Sequence, residues 1–348
     1  MKAAVMSEFG GALPLETVAD PECPRDGAIV MVRACGVCRS DHHAWKGADP
    51  DVALPHIMGH EFSGDVIATG PDCRGIKIGD RVTAPFVLGC GHCSDCRAGE
   101  PTICEIQNTI GFTIPGAFAE QIAIPQADFN LVALPDDMSY VAAAGMGCRV
   151  TTAFRAVVDR GRLQPGEWLV VHGCGGVGLS AVMIGAALGA QVMAVDVNDE
   201  ALAMAHGLGA NAVLNAAFGD VGPEVQQATG GGGHVSVDAL GITTTFENSL
   251  RSLRKMGRHV QIGMPVGTHA TPTLPLLELV YARQLTLHGT RGLGPARFAS
   301  LFEMISAGRM DPGRLVTQTL PLSGAHEALK SMDRFQNYGV SVIDQMDC

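Results

Sequence analysis

Short apolar runs, separated by glycine and proline, fill roughly the first 135 residues of the chain. Runs of this length, bounded by turn-forming residues, are typical of β-strands. The predicted strands of this region are Lys2–Met6, Ala28–Ala34, Glu61–Thr69, Arg81–Ala84, Gln121–Ile124 and Leu131–Leu134. The pattern therefore predicts a β-rich, barrel-like domain.

A different pattern begins after Pro135, where strand-like and helix-like segments alternate, starting with a helix over 137–158. The alternating segments are strand Trp168–His172, helix Val177–Leu188, strand Gln191–Asp196, helix Glu200–Leu208 and strands Ala212–Leu214, Val235–Ala239 and Val260–Ile262. From about Gly289 the pattern predicts a helix, a strand and a further helix, at Ala296–Ala307, Val316–Pro321 and Ser323–Met332. Such alternation predicts an α/β fold with a doubly wound parallel sheet.

Length and composition fit two domains and narrow the range of partners. The chain has 348 residues, of which 47% are hydrophobic, so it is too long for one ordinary core. Its formal net charge is −11, and its lysines and arginines are scattered rather than grouped. We therefore expect no nucleic acid and no membrane surface among its partners.

The cysteines indicate a reducing compartment. An odd count of 11 makes a poor disulfide framework, and the first ten residues, MKAAVMSEFG, contain no long apolar signal segment. The expected location is the cytoplasm, where clustered cysteines indicate metal binding or catalysis.

One long uncharged stretch, Leu169–Val195, matches a membrane span in length and contains a G-x-x-x-G pattern at Gly185 and Gly189. However, glycines cluster near its start, and a buried strand–turn–helix–strand unit is equally apolar. We therefore favour the buried unit over the membrane span.

The glycines of this stretch match the dinucleotide-binding pattern G-x-G-x-x-G. The pattern follows a valine-rich strand and opens an apolar helix; its residues are Gly173, Gly175, Gly176, Val177 and Gly178. The glycines permit a tight turn close to a pyrophosphate, and the helix N-terminus offers free N–H groups to the phosphates. The alternative is a purely structural strand–helix–strand unit.

Asp196 ends the next predicted strand, 18 residues beyond Gly178. A carboxylate here can accept hydrogen bonds from both hydroxyls of an adenosine ribose, and it repels a 2′-phosphate. No arginine follows in Asp196–Asp199, so we expect NAD rather than NADP. The alternative reading of Asp196 is an ordinary surface aspartate.

The most specific motif is a closely spaced cysteine cluster, Cys90, Cys93, Cys96 and Cys104. Four thiolates can surround one Zn²⁺ tetrahedrally and leave no open position, so this metal is expected to be structural. An iron–sulfur cluster or thiols without metal are the alternatives, although the spacing differs from common ferredoxin patterns.

Three further candidates, Cys38, His60 and Cys148, are scattered, and spacing alone does not connect them. Each stands in a distinctive segment: GVCRSDHH, GHE and a glycine–cysteine pair followed by threonines. With the cysteine cluster and the GCGGVG turn, these segments make the chain resemble the zinc-containing medium-chain alcohol dehydrogenase family over nearly its whole length. The resemblance implies a GroES-like catalytic domain, 1–149 and 289–348, interrupted by a Rossmann NAD-binding domain, 150–288.

By this resemblance, Cys38, His60 and Cys148 bind a catalytic Zn²⁺ and leave one position for water or alcohol, while Glu61 lies behind the metal as an alternate ligand. Two zinc ions per subunit are therefore expected. Asp41 is expected to orient His60 through a hydrogen bond.

The resemblance also implies a route for the proton of the alcohol. Zinc makes a bound hydroxyl more acidic, so a hydride can pass to NAD. Ser40 is expected to hydrogen-bond the alcohol oxygen. His43 is expected to pass the proton to solvent after the nicotinamide ribose. The alternative for His43 is a simple surface histidine, and its neighbour His42 is expected to be exposed and without a role.

Further positions follow from the family pattern. Arg39 corresponds to the position that meets the cofactor pyrophosphate, and Thr152 to one beside the nicotinamide. Phe86 is expected to line the substrate pocket, and Trp45 and Met58 are weaker candidates. Core packing is the alternative for these last three.

The C-terminal region departs from the family pattern. Many relatives carry Gly-Arg before a valine strand, whereas this chain has Val340 after Gly339. A phosphate-binding arginine is therefore missing at that position, and Arg291 is a candidate replacement.

Several alternatives to an alcohol dehydrogenase share the motifs. Polyol or threonine dehydrogenases have the same architecture, but the polyol branch typically has Glu as the third ligand, so Cys148 favours the alcohol branch. Zinc-free quinone or enoyl reductases lack this ligand set. A non-catalytic, zinc-stapled NAD-binding sensor also stays open. The expected substrates are primary or secondary alcohols and the matching aldehydes or ketones, and the expected assembly is a homo-oligomer, a tetramer rather than a dimer.

Overall fold

The computed structural model describes residues 1–334, without the side chain of Arg334, and residues 339–346. The chain divides into two compact units. Unit 1 comprises 1–151, 292–303 and 312–348, and unit 2 comprises 152–291 and 304–311. Each unit is described by itself below.

Unit 1 begins with short strands and short helices. Its strands, as far as residue 133, are β1 Lys2–Met6, β2 Leu15–Thr17, β3 Ala28–Val37, β4 His56–Ile57, β5 Glu61–Thr69, β6 Arg81–Thr83, β7 Val87–Leu88, β8 Asn108–Thr109, β9 Gln121–Ile124 and β10 Val132–Ala133. Its helices in this part are α1 Arg39–Trp45, α2 Ser94–Arg97 and α3 Ala127–Asn130, with a 3₁₀ turn at Pro101–Ile103. The predicted β-rich character is confirmed, and β3 extends to Val37, three residues beyond the predicted end.

Unit 2 contains alternating strands and helices. The unit begins at Thr152, within the helix α4, Tyr140–Phe154, which runs into a π-helical segment, Arg155–Arg160. The elements that follow are β11 Trp168–His172, α5 Gly176–Ala187, β12 Gln191–Asp196, α6 Asp199–Gly207, β13 Ala212–Asn215, α7 Val221–Ala228, β14 Gly233–Asp238, α8 Thr243–Arg251, β15 Leu253–Gln261 and β16 Thr286–Gly289, with a 3₁₀ turn at Gly267–His269 and a π-helical segment at Leu276–Tyr281. The predicted doubly wound sheet is confirmed.

The C-terminal elements return the chain to unit 1. They are α9 Phe298–Ser306, β17 Val316–Pro321, α10 Ala325–Ser331 and β18 Val340–Gln345, with 3₁₀ turns at Pro295–Arg297, Pro312–Leu315, Leu322–Gly324 and Met332–Arg334. The main sheet of unit 1 has the order β10-β6-β5-β3-β18-β17. On one side β3 pairs with β5, and its other partners are β9 near its start and β18 near its end. The strand that leads to Cys38 is therefore held by partners from both ends of the chain.

The sheet of unit 2 is parallel throughout, in the order β13-β12-β11-β14-β15-β16. Chain order reverses at β11, because β12 lies on one side of it and β14 on the other. Ligands of open parallel sheets bind at such a reversal, beyond the carboxyl ends of the strands. The glycine turn that follows β11 lies at this point.

In unit 2, the helices α7 and α8, the strand β16 and most of β15 were not predicted. The helix α8 opens with three threonines, which favour strands intrinsically, and α7 contains a glycine and a proline. The first half of β15 carries exposed, charged side chains, so only its buried end matched a strand pattern. Packing against neighbouring strands overrides these weak local preferences.

The long apolar stretch at Leu169–Val195 forms a strand, a helix and a strand, as favoured above. Among the described residues, one helical segment, Tyr140–Arg160, is long and apolar enough to cross a membrane by length and composition. Of its most apolar window, 78% is buried inside the protein, as in a core helix.

Candidate functional site

The cysteine cluster of unit 1 brings its four sulfur atoms together. The donor atoms of Cys90, Cys93, Cys96 and Cys104 all lie within 4.8 Å of one another. The Sγ atoms of Cys90 and Cys96 are 3.9 Å apart, and those of Cys93 and Cys104 are 3.7 Å apart. Around a zinc ion with Zn–S bonds of about 2.3 Å, tetrahedral ligands are about 3.8 Å apart. The spacing therefore fits a closed zinc site.

Local backbone geometry shapes this lobe. The backbone N–H of Cys93 points to Cys90 Sγ at 3.3 Å, and that of Cys96 points to Cys93 Sγ at 3.5 Å. Backbone N–H groups directed at sulfur stabilise thiolates. A hydrogen bond involving the His92 backbone lowers the pKa of Cys90 to about 6, whereas burial raises that of Cys96 to about 12. The thiol of Cys90 therefore ionises more readily than that of Cys96.

A second donor group, Cys38, His60, Glu61 and Cys148, is buried, and its donor atoms also lie within 4.8 Å of one another. The structure therefore brings together the three residues that sequence spacing could not connect. Cys38 follows β3 and precedes α1, His60 precedes β5, and Cys148 lies on α4. The Sγ atoms of Cys38 and Cys148 are 3.5 Å apart.

Asp41 connects two of these elements. Its carboxylate is fully buried and accepts hydrogen bonds from the backbone N–H groups of Cys38, at 2.8 Å, and Gly59, at 3.2 Å. The same carboxylate lies 2.7 Å from His60 Nδ1, as expected. In the neutral ring, which is the form that binds a metal, Nδ1 donates to Asp41 and the lone pair of His60 is on Nε2. Nε2 is buried and has no hydrogen-bond partner in the described part of the chain, which suits a metal ligand.

Glu61 and Arg149 form a buried ion pair behind the thiols. Arg149 donates to both carboxylate oxygens and, at 3.0 Å, to the carbonyl oxygen of Val37. Glu61 Oε1 also accepts from the backbone N–H of Cys148 at 2.8 Å. Gly147 has φ of +20° and ψ of −130°, and a Cβ there would lie 2.3 Å from the Glu61 side chain. Glycine at 147 therefore permits the kink in α4 and its close contact with Glu61.

The sequence analysis did not identify Arg149 as part of the site. Its signal was visible, because it is the one charged residue within the apolar segment of α4. The Glu61 carboxylate, together with the neighbouring thiols, raises the pKa of Arg149 against the effect of burial. The guanidinium therefore supplies a permanent positive charge beside the two cysteines.

The two thiols titrate differently. The hydrogen bond from Cys148 holds the pKa of Cys38 well below its usual value, with Arg149 and His60 helping. The same bond and burial hold the pKa of Cys148 well above its usual value. Burial alone would lower the pKa of His60, but Asp41 and Cys38 raise it well above its ordinary range. The Cys38 thiol therefore ionises more readily than the Cys148 thiol.

The prediction for His42 is wrong. Its ring is buried, not exposed, and Nε2 lies 2.8 Å from Asp333 Oδ1. Lys46 Nζ contacts the other oxygen of Asp333 at 2.9 Å, and Arg39 Nη1 donates to the carbonyl oxygen of Met332 at 3.0 Å. His42 therefore has a defined task, since it attaches α1 to the segment that follows α10.

Ser40 and His43 lie on the same short helix. Ser40 Oγ is 3.6 Å from Cys38 Sγ, so its hydroxyl is beside the donor group. His43 is half-buried, and burial, with the charge of Arg39 and with His42, lowers its pKa. A neutral imidazole at physiological pH can accept a proton.

Three predicted pocket residues lie in unit 1. The ring of Phe86 contacts that of His60, with centroids 5.7 Å apart. Trp45 is buried and donates from Nε1 to the carbonyl oxygen of Gly11 at 2.7 Å, so it packs in the core. Met58 is fully buried in the same core cluster. Phe86 is therefore the one of the three with a described contact to the donor group.

The glycine turn of unit 2 has the geometry of a close-approach site. Gly173 has φ of +92°, and a Cβ on Gly178 would lie 1.8 Å from the carbonyl oxygen of Gly173. Gly175 is exposed and would have open space around a Cβ. The helix α5 begins at Gly176, so its first backbone N–H groups point out of its N-terminus. Val177 is half-buried in this first turn.

Asp196 lies at the end of β12, beside this turn. Its carboxylate accepts hydrogen bonds from the backbone N–H groups of Cys174, at 2.6 Å, and Asn198, at 2.9 Å. Each oxygen accepts one of these bonds and keeps a further lone pair. The backbone thus fixes the orientation of the Asp196 carboxylate.

Thr152 is a separate candidate residue of unit 2. It is buried on α4.

Comparison with known proteins gives matches along both units. A family profile described as "Alcohol dehydrogenase GroES-like domain" matches residues 24–136, and one described as "Zinc-binding dehydrogenase" matches residues 176–307. The chain is 36% identical to the alcohol dehydrogenase of Moraxella sp. (strain TAE123), over 99% of both chains. It is 31% identical to the NAD-dependent alcohol dehydrogenase of Sulfurisphaera tokodaii, again over 99% of both. The solved alcohol dehydrogenase of Thermus sp. ATN1 superposes with a TM-score of 0.91 at 29% identity, over 99% of this chain and 100% of that chain.

Proposed function

The chain belongs to the zinc-containing medium-chain alcohol dehydrogenase family, and from this premise we propose that Cys38, His60 and Cys148 hold its catalytic zinc ion. The protein is an NAD-dependent alcohol dehydrogenase that acts on small molecules. Its proposed substrates are primary or secondary alcohols, which it converts reversibly to aldehydes or ketones.

The observation that carries the catalytic site is the buried, unpartnered Nε2 of His60, next to a pair of thiols 3.5 Å apart. A buried polar atom without a partner is costly, and a metal ion removes that cost. One imidazole and two thiolates suit Zn²⁺ and leave a fourth position open. The donor chemistry therefore fits zinc. Glu61 is the alternate ligand, and its carboxylate oxygens are paired with Arg149.

When bound, zinc acts as a Lewis acid that makes an alcohol hydroxyl more acidic. Residues of the chain then transfer the proton of the alcohol to solvent. Ser40, beside Cys38, hydrogen-bonds the hydroxyl of the substrate and accepts its proton while passing on its own. The neutral His43 takes up that proton and transfers it to solvent. Asp41 keeps the His60 ring in the tautomer that leaves Nε2 free.

The dinucleotide site of the proposal lies in unit 2. Gly173, Gly175, Gly176, Val177 and Gly178 receive the pyrophosphate of NAD at the start of α5. Asp196 binds the adenosine ribose and disfavours a 2′-phosphate. Arg39 is assigned to the pyrophosphate and Thr152 to the nicotinamide, both by family position. Arg291 is the candidate that replaces the arginine missing at 340.

The second metal of the proposal is a structural zinc at Cys90, Cys93, Cys96 and Cys104. Its support is the sulfur spacing of 3.7–3.9 Å, which matches a tetrahedral site. The protein then carries two zinc ions per subunit.

The test combines zinc counting with one substitution. Elemental analysis of the purified protein is expected to give two zinc ions per chain. Cys148→Ala is expected to retain one, to lose turnover by a factor of more than about 10³, and to bind NADH like the unsubstituted protein. A firm value of one zinc in the unsubstituted protein, or activity retained in Cys148→Ala, would remove the catalytic assignment.

Cys35→Ala provides the matched control. Cys35 is fully buried on β3 but belongs to neither donor group. The variant is expected to keep both zinc ions and its activity, so that a loss in Cys148→Ala reports the ligand rather than the removal of any buried thiol.

The assembly and the domain limits complete the proposal. The segment Leu276–Tyr281 exposes large apolar side chains, with Leu277 at 72% and Tyr281 at 75% exposure. Exposed apolar groups shortly before an edge strand, β16, in the chain support a homo-oligomer, with a tetramer as the proposed state. The proposed domains are 1–149 with 289–348, and 150–288.

The proposed location is the cytoplasm, since a reducing compartment keeps the ligand cysteines available.

A further inference from the structure

A buried carboxylate lies at the end of the strand next to the glycine turn. Asp238 is the last residue of β14 and is fully buried. In the parallel pairing of β11 with β14 it stands opposite His172, the residue that precedes Gly173. A buried carboxylate needs several donors, because it can only accept hydrogen bonds.

Asp238 takes its donors from three separate segments. Oδ1 accepts from the backbone N–H groups of Leu240, at 2.9 Å, and Gly241, at 3.0 Å, and from Thr245 Oγ1 at 2.9 Å. Oδ2 accepts from Gln261 Nε2 at 2.9 Å. The carboxylate thus fixes the loop after β14, the first turn of α8 and the end of β15.

Residues at the end of β15 connect Asp238 to a second loop, residues 262–263. Gln261 Nε2 also donates to the carbonyl oxygen of Gly263 at 2.8 Å. The backbone N–H groups of Ile262 and Gly263 both reach the carbonyl oxygen of Asp238, at 3.0 and 2.9 Å. A Cβ on Gly263 would lie 2.3 Å from the backbone nitrogen of Gly241, so the two loops pack backbone against backbone. A shift of one loop therefore moves the other.

The loop 239–241 borders the glycine turn. The backbone N–H of Ala239 donates to the carbonyl oxygen of His172 at 2.9 Å. Leu240 is 46% exposed, and its Cβ lies 3.3 Å from the place a Cβ on Gly173 would take. An exposed leucine beside the turn forms part of the wall that a bound dinucleotide meets.

Strand order determines which half of the dinucleotide meets this wall. Asp196, the proposed ribose ligand, ends β12 on one side of β11, whereas Asp238 ends β14 on the other side. A dinucleotide lies across the point of reversal with its two nucleosides on opposite sides. With adenosine over β12, the nicotinamide half lies over the ends of β14 and β15.

We propose that Asp238 is a positioning residue for the nicotinamide half of NAD, acting through the loops 239–241 and 262–263. The inference rests on the proposed dinucleotide site of unit 2. Asp238 is buried behind the loops and does not touch the cofactor. It sets the backbone that does, so its removal affects ligands that carry the nicotinamide and spares those that lack it.

The experiment compares two ligands in the zinc-loaded protein. In Asp238→Asn the amide keeps the shape, but its NH₂ group faces either Gln261 Nε2 or the backbone N–H groups of Leu240 and Gly241. The first orientation loses the hydrogen bond from Gln261, and the second loses those from Leu240 and Gly241. The Kd for NADH, measured by fluorescence or calorimetry, is expected to rise about tenfold, the loss expected for one charge-assisted hydrogen bond. The Kd for ADP, which lacks the nicotinamide half, is expected to change less than about twofold.

Two further variants complete the design. Ser236→Ala, on the same strand, removes a buried hydroxyl whose partner is Ser249 Oγ at 2.6 Å and leaves both loops intact, so both Kd values are expected to stay unchanged. Gln261→Leu removes the side-chain bonds to Asp238 Oδ2, the Gly263 carbonyl oxygen and His259 Nε2, and it leaves the backbone bonds between the loops in place. It is expected to weaken NADH binding about threefold, and it provides a second test if Asp238→Asn fails to fold.

The outcomes distinguish a failure of the positioning role of Asp238 from a failure of the proposed dinucleotide site. Equal weakening of NADH and ADP in Asp238→Asn, or weakening of neither, overturns the positioning role of Asp238. Failure of the unsubstituted protein to bind ADP overturns the proposed dinucleotide site instead.

Discussion

Replacing Asp41 by asparagine tests how a residue that is not a proposed ligand controls the binding of the proposed catalytic zinc. Asp41 is fully buried and receives the N–H groups of Cys38 and Gly59 as well as His60 Nδ1. An asparagine has the same shape but only one acceptor oxygen, so it must choose an orientation. That choice is linked to the tautomer of His60.

The expected loss of zinc affinity follows from the two orientations that the asparagine side chain can take. With its oxygen toward His60, asparagine keeps Nε2 free for zinc, but its NH₂ group faces the N–H of Cys38. With its NH₂ group toward His60, it satisfies Cys38 but forces the ring proton onto Nε2, which blocks the metal. Binding zinc therefore costs about one hydrogen bond to a charged acceptor, about 1.5–3 kcal/mol. That is a loss of about 10- to 150-fold in zinc affinity, which matches the usual effect of such supporting residues.

The assay is a competition for zinc with a chelator of known affinity, followed by elemental analysis. The closed cysteine site serves as an internal reference, since none of its ligands contacts Asp41. Asp41→Asn is expected to release one zinc ion at about 10- to 150-fold lower chelator concentration while the other stays bound. Turnover is expected to fall with the released ion.

A matched control is Asp65→Asn. Asp65 is a half-buried aspartate on β5 that pairs with Arg33 at 2.7 Å and touches neither donor group. The reasoning is refuted if Asp41→Asn holds both zinc ions against chelator as firmly as Asp65→Asn does.

Two further predictions concern unit 2. Asp196→Ala removes the charge that opposes a 2′-phosphate, so the ratio of kcat/KM for NAD to that for NADP is expected to fall about tenfold or more; an unchanged ratio would contradict the ribose assignment. Burial holds the pKa of His172 at about 3 and that of His259 at about 4, whereas unfolded histidines titrate near about 6.5. Below about pH 6.5 the unfolded state binds more protons than the folded state. The free energy of unfolding is therefore expected to decrease as the pH is lowered, by up to about 1.4 kcal/mol per pH unit for each histidine. Thermal unfolding from pH 7 to 4.5 measures this slope, and His172→Asn is expected to flatten it; equal slopes in both proteins would speak against a neutral, buried His172.

The fold was predictable where burial and local preference agree. β11 and β12 are predicted with their observed limits, because valine-rich runs lie between turn formers. The helix α8 was not predicted, because Thr243 and its two successors favour strands and only tertiary packing makes them helical. The limits of α4 also differ, since the helix starts at Tyr140 and changes to a π-helical segment after Phe154.

The site was predictable in proportion to how local its ligands are. The cysteine cluster could be assigned from spacing, because its ligands occupy one short segment. Cys38, His60 and Cys148 come from three elements that only the folded chain brings together, so family resemblance was needed to group them. His42 was misjudged because its partner, Asp333, lies 291 residues away in sequence. No local pattern signals a contact of that range.

The place of β18 in the sheet has a consequence for how the protein is made. The strand that leads to Cys38 pairs near its end with Ser341, Val342 and Ile343. At about 5–20 residues per second, a ribosome needs about 15–60 s to travel from Val37 to Val340. During that time this part of β3 has an unpaired edge, and such edges attract wrong partners. Loss of β18 would leave this edge of β3, which leads to Cys38 of the proposed zinc site, without its partner in the finished protein as well.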